Sequence, residues 1–196
     1  ALRLGLNVMI FSDHVSIEDE FMLKQIAATS DLLVMGPDCG TAIIDGVPLG
    51  FANEVRRGDI GIVAASGTGL QQVCCLIDRY GKGISHAIGT GGRDLKTAVG
   101  GITMTQGLTA LAEDPGTSVI VLISKPPAPE VADRIVSQAR AAGKPVVINF
   151  LGVGASQISG EGVFAAKTLE HAAKIAVAIV NDEPAPAAED RLEGDR

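Results

Sequence analysis

The sequence has 196 residues, of which 46% are hydrophobic and 3% aromatic, and its formal net charge is −7 at pH 7. This apolar content is enough for the core of one large domain, or of one domain and part of another, and a negative charge without a basic stripe argues against binding to a nucleic-acid backbone. No apolar run reaches the roughly 18 residues of a membrane span, and three cysteines without metal-ligand spacing or a secretory segment indicate reduced thiols. We therefore expect a cytoplasmic protein with no metal site and no nucleic-acid or membrane partner.

The N-terminal part of the chain predicts one βαβ piece of a nucleotide-type α/β domain. Apolar runs at 7–11 and 32–35 have the length of short strands. A helix is predicted over 16–30, because Ser16 begins a capping-box pattern. Residues 1–6 have the pattern of a helix end, so we expect this piece to be the last part of a larger domain.

A turn rich in glycine and proline follows the second strand. Its residues are Gly36, Pro37, Asp38, Cys39 and Gly40. Ligands of open α/β sheets bind at the carboxyl ends of strands, so the turn is either a structural turn or a substrate or domain-junction loop. Cys39 is a weak candidate nucleophile, because no histidine or other base lies beside it in the sequence.

The stretch 59–80 predicts a buried strand, a small-residue turn and a helix. Ile60 to Ala64 form a short apolar run, and helical spacing of apolar residues continues to Tyr80. The turn between them consists of Ser66, Gly67, Thr68 and Gly69. A helix that starts there directs free amide groups and the positive helix end at one place, which favours an anion. The alternative is that small residues only permit a tight βα turn.

The rest of the sequence continues a regular alternation of strands and helices. We predict strands at 60–64, 84–89, 118–123 and 145–150, and helices at 67–80, 104–113, 129–142 and 168–181. Such alternation predicts a parallel sheet with right-handed crossovers, in a flavodoxin-like three-layer αβα domain. The acidic, proline- and alanine-rich end of the chain, residues 183–196, reads as a tail or linker.

Further candidate residues follow the next strands on the same predicted edge of the sheet. Gly91 and Gly92 form a second glycine-rich loop, and Arg93 adds donors that suit phosphate or carboxylate, unless it forms an ion pair with an acid. Lys125 closes a later strand and could reach an anion, although exposed lysines are common there. His86 lies within a strand and is either a core histidine or a catalytic one.

Several segments, in order and spacing, resemble the α subunit of succinyl-CoA synthetase, and the chain is most similar to the FdrA branch of the acyl-CoA synthetase family. The segments that carry the resemblance are Gly36-Pro37-Asp38-Cys39-Gly40-Thr41, Ala65-Ser66-Gly67-Thr68-Gly69, Ser85-His86-Ala87-Ile88-Gly89, Gly91-Gly92-Arg93-Asp94-Leu95 and Ser124-Lys125-Pro126-Pro127. The resemblance extends over residues 1–182.

This resemblance implies a domain division and a set of ligands. Residues 1–57 would be the C-terminal part of a Rossmann-like CoA-binding domain, and 58–182 the flavodoxin-like ligase domain. Ser66, Gly67 and Thr68 would hold a phosphate group. CoA is the implied cofactor, ATP or ADP would reach the site through a partner domain, and a β-subunit-like chain would complete a hetero- or homo-oligomer.

The sequence departs from the synthetases in one segment. They carry a phosphorylated histidine after the last strand, whereas residues 159–166 of this chain contain no histidine. Three functions therefore stay open. They are an ADP-forming acyl-CoA synthetase subunit, a carbamoyltransferase subunit that passes carbamoyl phosphate to an oxamate-like acceptor, and a non-catalytic module that binds CoA or acyl phosphate.

Overall fold

The computed structural model describes residues 1–187. The predicted tail therefore lies mostly outside the described residues, from 188 onward. Among the described residues, no helix combines the length and the apolar character that crossing a bilayer requires.

The described chain contains nine strands and six α-helices, after a 3-10 turn at Leu2–Leu4. The strands are β1 (Val8–Met9), β2 (Val34–Met35), β3 (Thr41–Ile44), β4 (Val47–Gly50), β5 (Arg57–Ala64), β6 (Ile84–Gly89), β7 (Val119–Ser124), β8 (Val146–Phe150) and β9 (Val163–Ala165). The helices are α1 (Ile17–Ala28), α2 (Gly67–Arg79), α3 (Ile102–Glu113), α4 (Pro129–Arg140), α5 (Ala155–Ile158) and α6 (Leu169–Val180).

Seven strands form the main sheet, in the order β4-β3-β6-β5-β7-β8-β9. From β6 to β9 all neighbours are parallel, and the hairpin β3–β4 adds an antiparallel edge beside β6. The parallel part is what the alternation of strands and helices predicts. Since parallel strands run in the same direction, their carboxyl ends all lie at one edge of the sheet.

Helices cover both faces of this sheet and give the predicted three-layer αβα fold. In β7, an inner strand of the sheet, Ile120 and Leu122 pack into a core with α3 and α4, whereas Val121 and Ile123 pack into a second core with α2 and α6. Successive side chains of a strand point to opposite faces, so a strand buried on both faces must be apolar throughout. All of the residues Val119–Ser124 are buried.

The hairpin β3–β4 and the short strand β9 are not among the predicted elements. Asp45 and Gly46 join β3 to β4, and both have positive φ, at 51° and 76°. A two-residue turn with positive φ at both positions fits the twist of a hairpin, and Asp-Gly is a favoured pair there. That pair between two apolar runs was therefore a signal for the hairpin. The hairpin places residues 41–50 in the same sheet as β5.

The N-terminal segment forms its own small parallel sheet, β1–β2, and docks on α3. The Thr103 hydroxyl donates to the Val34 carbonyl oxygen at 2.9 Å, and the Gln106 side-chain amide donates to that of Leu32 at 2.9 Å. The change from one sheet to the other falls between Met35 and Thr41. The division of the chain at residue 57 stays a prediction.

Replacement of Leu122 by alanine should destabilise the protein strongly. Leu122 is 0% exposed in the inner strand β7, and loss of a buried leucine side chain costs about 2–5 kcal/mol of unfolding free energy. Urea denaturation followed by circular dichroism measures this loss. Leu4→Ala, at a residue that is 79% exposed, is the control and should change the free energy by less than about 0.5 kcal/mol. Equal effects of the two substitutions would contradict the assignment of β7 to the core.

Candidate functional site

The N-terminus of α2 is open to solvent. Ser66 is its N-cap, and the Ser66 hydroxyl oxygen accepts the Gly69 amide at 3.2 Å. Gly67 and Thr68 are exposed, and a Cβ added at Gly67 would meet nothing within 4 Å. Within residues 1–187, no acceptor is hydrogen-bonded to the amides of Gly67 and Thr68. Two N–H groups at a positive helix end are thus accessible to an anion.

Strand pairing brings the two predicted glycine loops to the same place. Ala64, at the end of β5, is in register with Gly89 of β6 and with Ile123 of β7. The Thr90 amide continues this ladder by donating to the Ala64 carbonyl oxygen at 2.9 Å. The turn after β5 and the loop after β6 therefore start from neighbouring strand ends.

The predicted turn at 36–40 packs directly against the loop after β6. A Cβ on Gly91, which has a φ of 85°, would collide with the Pro37 carbonyl oxygen, and one on Gly89 would lie 2.6 Å from Cys39 Sγ. Asp38 reaches to 3.7 Å from the position of a Cβ on Gly92. Backbone therefore packs on backbone here, which only glycine permits.

Two other residues of this turn, Gly36 and Gly40, pack against parts of the chain outside the Gly91–Gly92 loop. A Cβ on Gly36 would collide with the Ile10 carbonyl oxygen, and one on Gly40 would lie 2.9 Å from the ring of Phe51. The Gly36–Pro37 peptide bond is cis. The structure thus brings the predicted turn and the Gly91–Gly92 loop together beside the end of β5.

Arg93 follows the Gly91–Gly92 loop but its guanidinium faces α1. Its Nη2 donates to the Val15 carbonyl oxygen at 2.8 Å and lies 2.9 Å from Glu20 Oε2. Of the two interpretations of Arg93, the ion pair with an acid is therefore the observed one. The position of Glu20 in the sequence does not indicate this pair, because a charged residue in a helix usually marks a solvent-facing side.

His86 lies away from these loops, in the middle of β6. Its Nδ1 accepts the Asp45 amide at 3.1 Å, and its Nε2 lies 3.5 Å from Asp114 Oδ2. Asp114 directly follows α3 and precedes β7, so this pair lies toward the amino ends of the strands. The structure does not bring His86 to Ser66 or to the Gly91–Gly92 loop.

The other predicted candidates differ in exposure. Lys125 directly follows β7 and is exposed, on the same edge of the sheet as Ser66. Cys39 is buried, and that burial raises the pKa of its thiol, which disfavours the thiolate that a nucleophile needs. Among residues 1–187, no group of three or more His, Cys, Asp or Glu side chains is placed to hold a metal ion.

Residues 55–152 match the CoA binding domain family, over the stretch that contains β5 to β8. The Escherichia coli (strain K12) protein YahF, described as uncharacterized, is 54% identical over 175 residues, which are 89% of this chain and 34% of YahF. The α subunit of ADP-forming succinate–CoA ligase from Aquifex aeolicus (strain VF5) is 28% identical over 131 residues, 64% of this chain and 42% of that subunit.

A solved structure shares the fold. It is the dinucleotide-forming acetyl-coenzyme A synthetase 1 of Ca. Korarchaeum cryptofilum in complex with phosphate and ADP, with a TM-score of 0.64 and 19% identity. The match covers 89% of this chain and 43% of the synthetase chain. The chain thus spans between a third and a half of the proteins that it resembles.

The carboxylate of Asp114 should make the stability of the protein depend on pH. A hydrogen bond from the Thr117 hydroxyl, helped by the Gly116 amide and by nearby His86 and Lys144, holds the pKa of Asp114 below its usual value despite partial burial. A lowered pKa contributes stability above the unfolded-state pKa of about 3.9, and that contribution is lost as the pH falls through the folded-state value.

Asp114→Asn should therefore be less stable than the wild type at pH 7, and the difference should shrink below about pH 4. Urea midpoints at a series of pH values measure this. Asp133→Asn, at an exposed aspartate of α4, serves as the control and should show little difference at any pH. A difference for Asp114→Asn that grows on acidification would show that its carboxylate is not stabilised in the folded state.

Proposed function

We propose a function for this chain, which belongs to the CoA binding domain family. It is part of an ADP-forming acyl-CoA-synthetase-like enzyme. It holds phosphate or acyl phosphate at the N-terminus of α2. The observation that carries the proposal is the open pair of amides at Gly67 and Thr68, next to the Ser66 hydroxyl. The Aquifex aeolicus relative named above is a CoA ligase subunit, which supports the class of reaction.

The phosphate site is built from backbone donors. The Gly67 and Thr68 amides point out of the helix end, and the Ser66 hydroxyl can donate to an anion while its oxygen accepts the Gly69 amide. A charge at a helix end gains roughly 0.3–2 kcal/mol, so further donors are needed. The Gly91–Gly92 backbone after the neighbouring strand β6 and the exposed Lys125 after β7 are the candidates on the same edge of the sheet.

These donors suit the transfer of an acyl group from phosphate to a thiol. When the CoA thiolate attacks the acyl carbon, the acyl–oxygen bond breaks and negative charge collects on the departing phosphate. Fixed amides stabilise that charge without reorganising, which lowers the barrier. CoA is the implied cosubstrate, ATP or ADP would enter through a partner domain, and a β-subunit-like chain is the implied partner. A cytoplasmic location fits the same proposal.

Arg93 is not part of this site in the proposal. Its Nη2 is engaged by Val15 and Glu20, so it contributes to the position of the loop rather than to the charge at the phosphate. His86 is excluded for its position near the amino ends of the strands.

A second candidate is the transfer of a carbamoyl group from carbamoyl phosphate to an oxamate-like acceptor, as the FdrA resemblance suggests. The segment 159–166, which lacks a histidine, favours it. It forms a turn and β9 instead. Direct attack on a bound mixed anhydride needs no phosphorylated enzyme, so the phosphate cradle alone would suffice.

Activity assays separate the two reactions. The full-length protein with its partner chains, supplied with ATP, CoA and a panel of carboxylates, should release ADP and form a thioester if it is a synthetase. Release of phosphate from carbamoyl phosphate that depends on an oxamate-like acceptor would favour the transferase instead. Inactivity in both assays, in a preparation that still binds phosphate, would overturn both enzymes in favour of a binding module.

Gly67→Val should weaken phosphate binding roughly tenfold while the protein stays folded. A Cβ at Gly67 would meet no atom within 4 Å, so the protein tolerates the substitution, and the bulk of valine beside the amides would hinder an anion there. Isothermal titration with inorganic phosphate measures the change. Unaltered affinity in the folded variant would remove the helix end from the site.

Ser66→Ala should also weaken phosphate binding, but it removes a helix cap worth about 1 kcal/mol of stability. Thr168→Ala is the matched control, because Thr168 caps α6 in the same way, by accepting the His171 amide at 3.0 Å. That cap lies near Tyr80, beyond the C-terminal end of α2, since Tyr80 donates to Glu170. The control should lose stability and keep its phosphate affinity.

A further inference from the structure

Lys24, in the middle of α1, is a charged side chain that is removed from solvent completely, at 0% exposure. Its Nζ donates three hydrogen bonds, to Glu20 Oε1 at 2.9 Å, to the Thr90 carbonyl oxygen at 2.9 Å and to Asp94 Oδ1 at 2.8 Å. An ammonium group has three N–H donors, and all three are used. Burial of a charge is tolerated only with such complete pairing.

The charges around Lys24 balance. Glu20 and Asp94 are buried carboxylates, and Arg93 lies 2.9 Å from the second oxygen of Glu20. Two cations therefore face two anions. The four residues come from α1 and from the loop after β6, so this ion cluster joins the N-terminal segment to the main sheet.

Asp94 extends the cluster to α3. Its carboxylate accepts the amides of Thr103 at 3.2 Å and Met104 at 2.9 Å, in the first turn of that helix. The N-cap residue of α3 is Gly101, which has no side chain to offer these donors. A carboxylate at a helix N-terminus is favourable, so Asp94 is held from both sides.

The hydrogen bond from Lys24 to the Thr90 carbonyl oxygen holds the backbone at the start of the Gly91–Gly92 loop. The Thr90 carbonyl and the Gly91 amide belong to one trans peptide, in which C=O and N–H point in opposite directions. Lys24 binds the carbonyl, so it turns the Gly91 amide away from the ion cluster. On its other side, Gly91 packs against the Pro37 carbonyl oxygen.

We infer that Lys24 is a positioning residue, whose buried ammonium fixes the Thr90–Gly91 peptide and so sets the direction of the backbone donors of the Gly91–Gly92 loop. The effect on anion affinity rests on the proposed function. The effect on the loop does not, since it follows from the hydrogen bond to Thr90 alone.

The test uses the 196-residue chain, labelled with ¹⁵N and titrated with inorganic phosphate. In the double variant Glu20→Gln, Lys24→Met, one cation and one anion are removed together, so the charge of the cluster stays balanced between Arg93 and Asp94. Without the bond to Thr90, the Gly91 amide signal of the free protein should move or broaden, and its hydrogen exchange should accelerate. The phosphate midpoint should rise roughly tenfold.

A matched control makes the same substitutions elsewhere. Glu170 and Lys174 are also an i,i+4 ion pair, at 3.2 Å on α6, and Glu170→Gln, Lys174→Met should leave the Gly91 signal and the phosphate midpoint unchanged. The wild type gives an independent measurement. Its Lys24 ammonium signal should shift with the same phosphate midpoint as the Gly91 amide, which a purely structural ion pair would not do.

Each outcome decides the inference. An unmoved Gly91 signal in a folded double variant overturns it, and so does a control that acts like the double variant. If the double variant does not fold, the Lys24 ammonium signal of the wild type decides, and a Lys24 signal that stays fixed while phosphate shifts the Gly91 amide overturns the inference. If phosphate moves no wild-type amide at Gly67 or Gly91, the proposed function fails, and the Gly91 signal and exchange of the free proteins still decide the role of Lys24.

Discussion

The ion pair between Lys24 and Asp94 is the constraint that joins the parts of this molecule. It connects α1, the loop after β6 and the start of α3, with no solvent around it. Two buried charges are stable only while every donor and acceptor is paired, so the three segments must keep one relative position. The Gly91–Gly92 loop lies within this fixed frame, next to the open end of α2.

The candidate site consists of backbone rather than of reactive side chains. Amides of Gly67 and Thr68 are its donors, and glycine at positions 89 and 91 allows the turn at 36–40 to pack against the neighbouring loop. Amide groups do not titrate in the physiological range, so the cradle itself would hold an anion over a wide pH range. The chain also spans only part of the ligases that it resembles.

Periodicity was a reliable guide where burial follows sequence directly. The apolar run 60–64 predicted the buried end of β5, and the helix predicted over 67–80 is observed as Gly67–Arg79, because its apolar residues lie on one side. The hairpin β3–β4 was missed although Asp45-Gly46 signalled it. The short strand β9 was missed because three residues carry too little pattern, and only pairing with β8 makes them a strand.

The sequence by itself determined the αβα class and the position of the small-residue turn that opens α2, since strand and helix periods and a helix start are local properties of consecutive residues. Only the tertiary structure decided the partners of charged groups. Lys24 is buried against Asp94, 70 positions away, and no local pattern of the sequence indicates that pair. Arg93 faces α1 and His86 faces Asp114. Charged side chains pair with groups that the fold brings close, and a local sequence pattern does not indicate partners that are distant in the sequence.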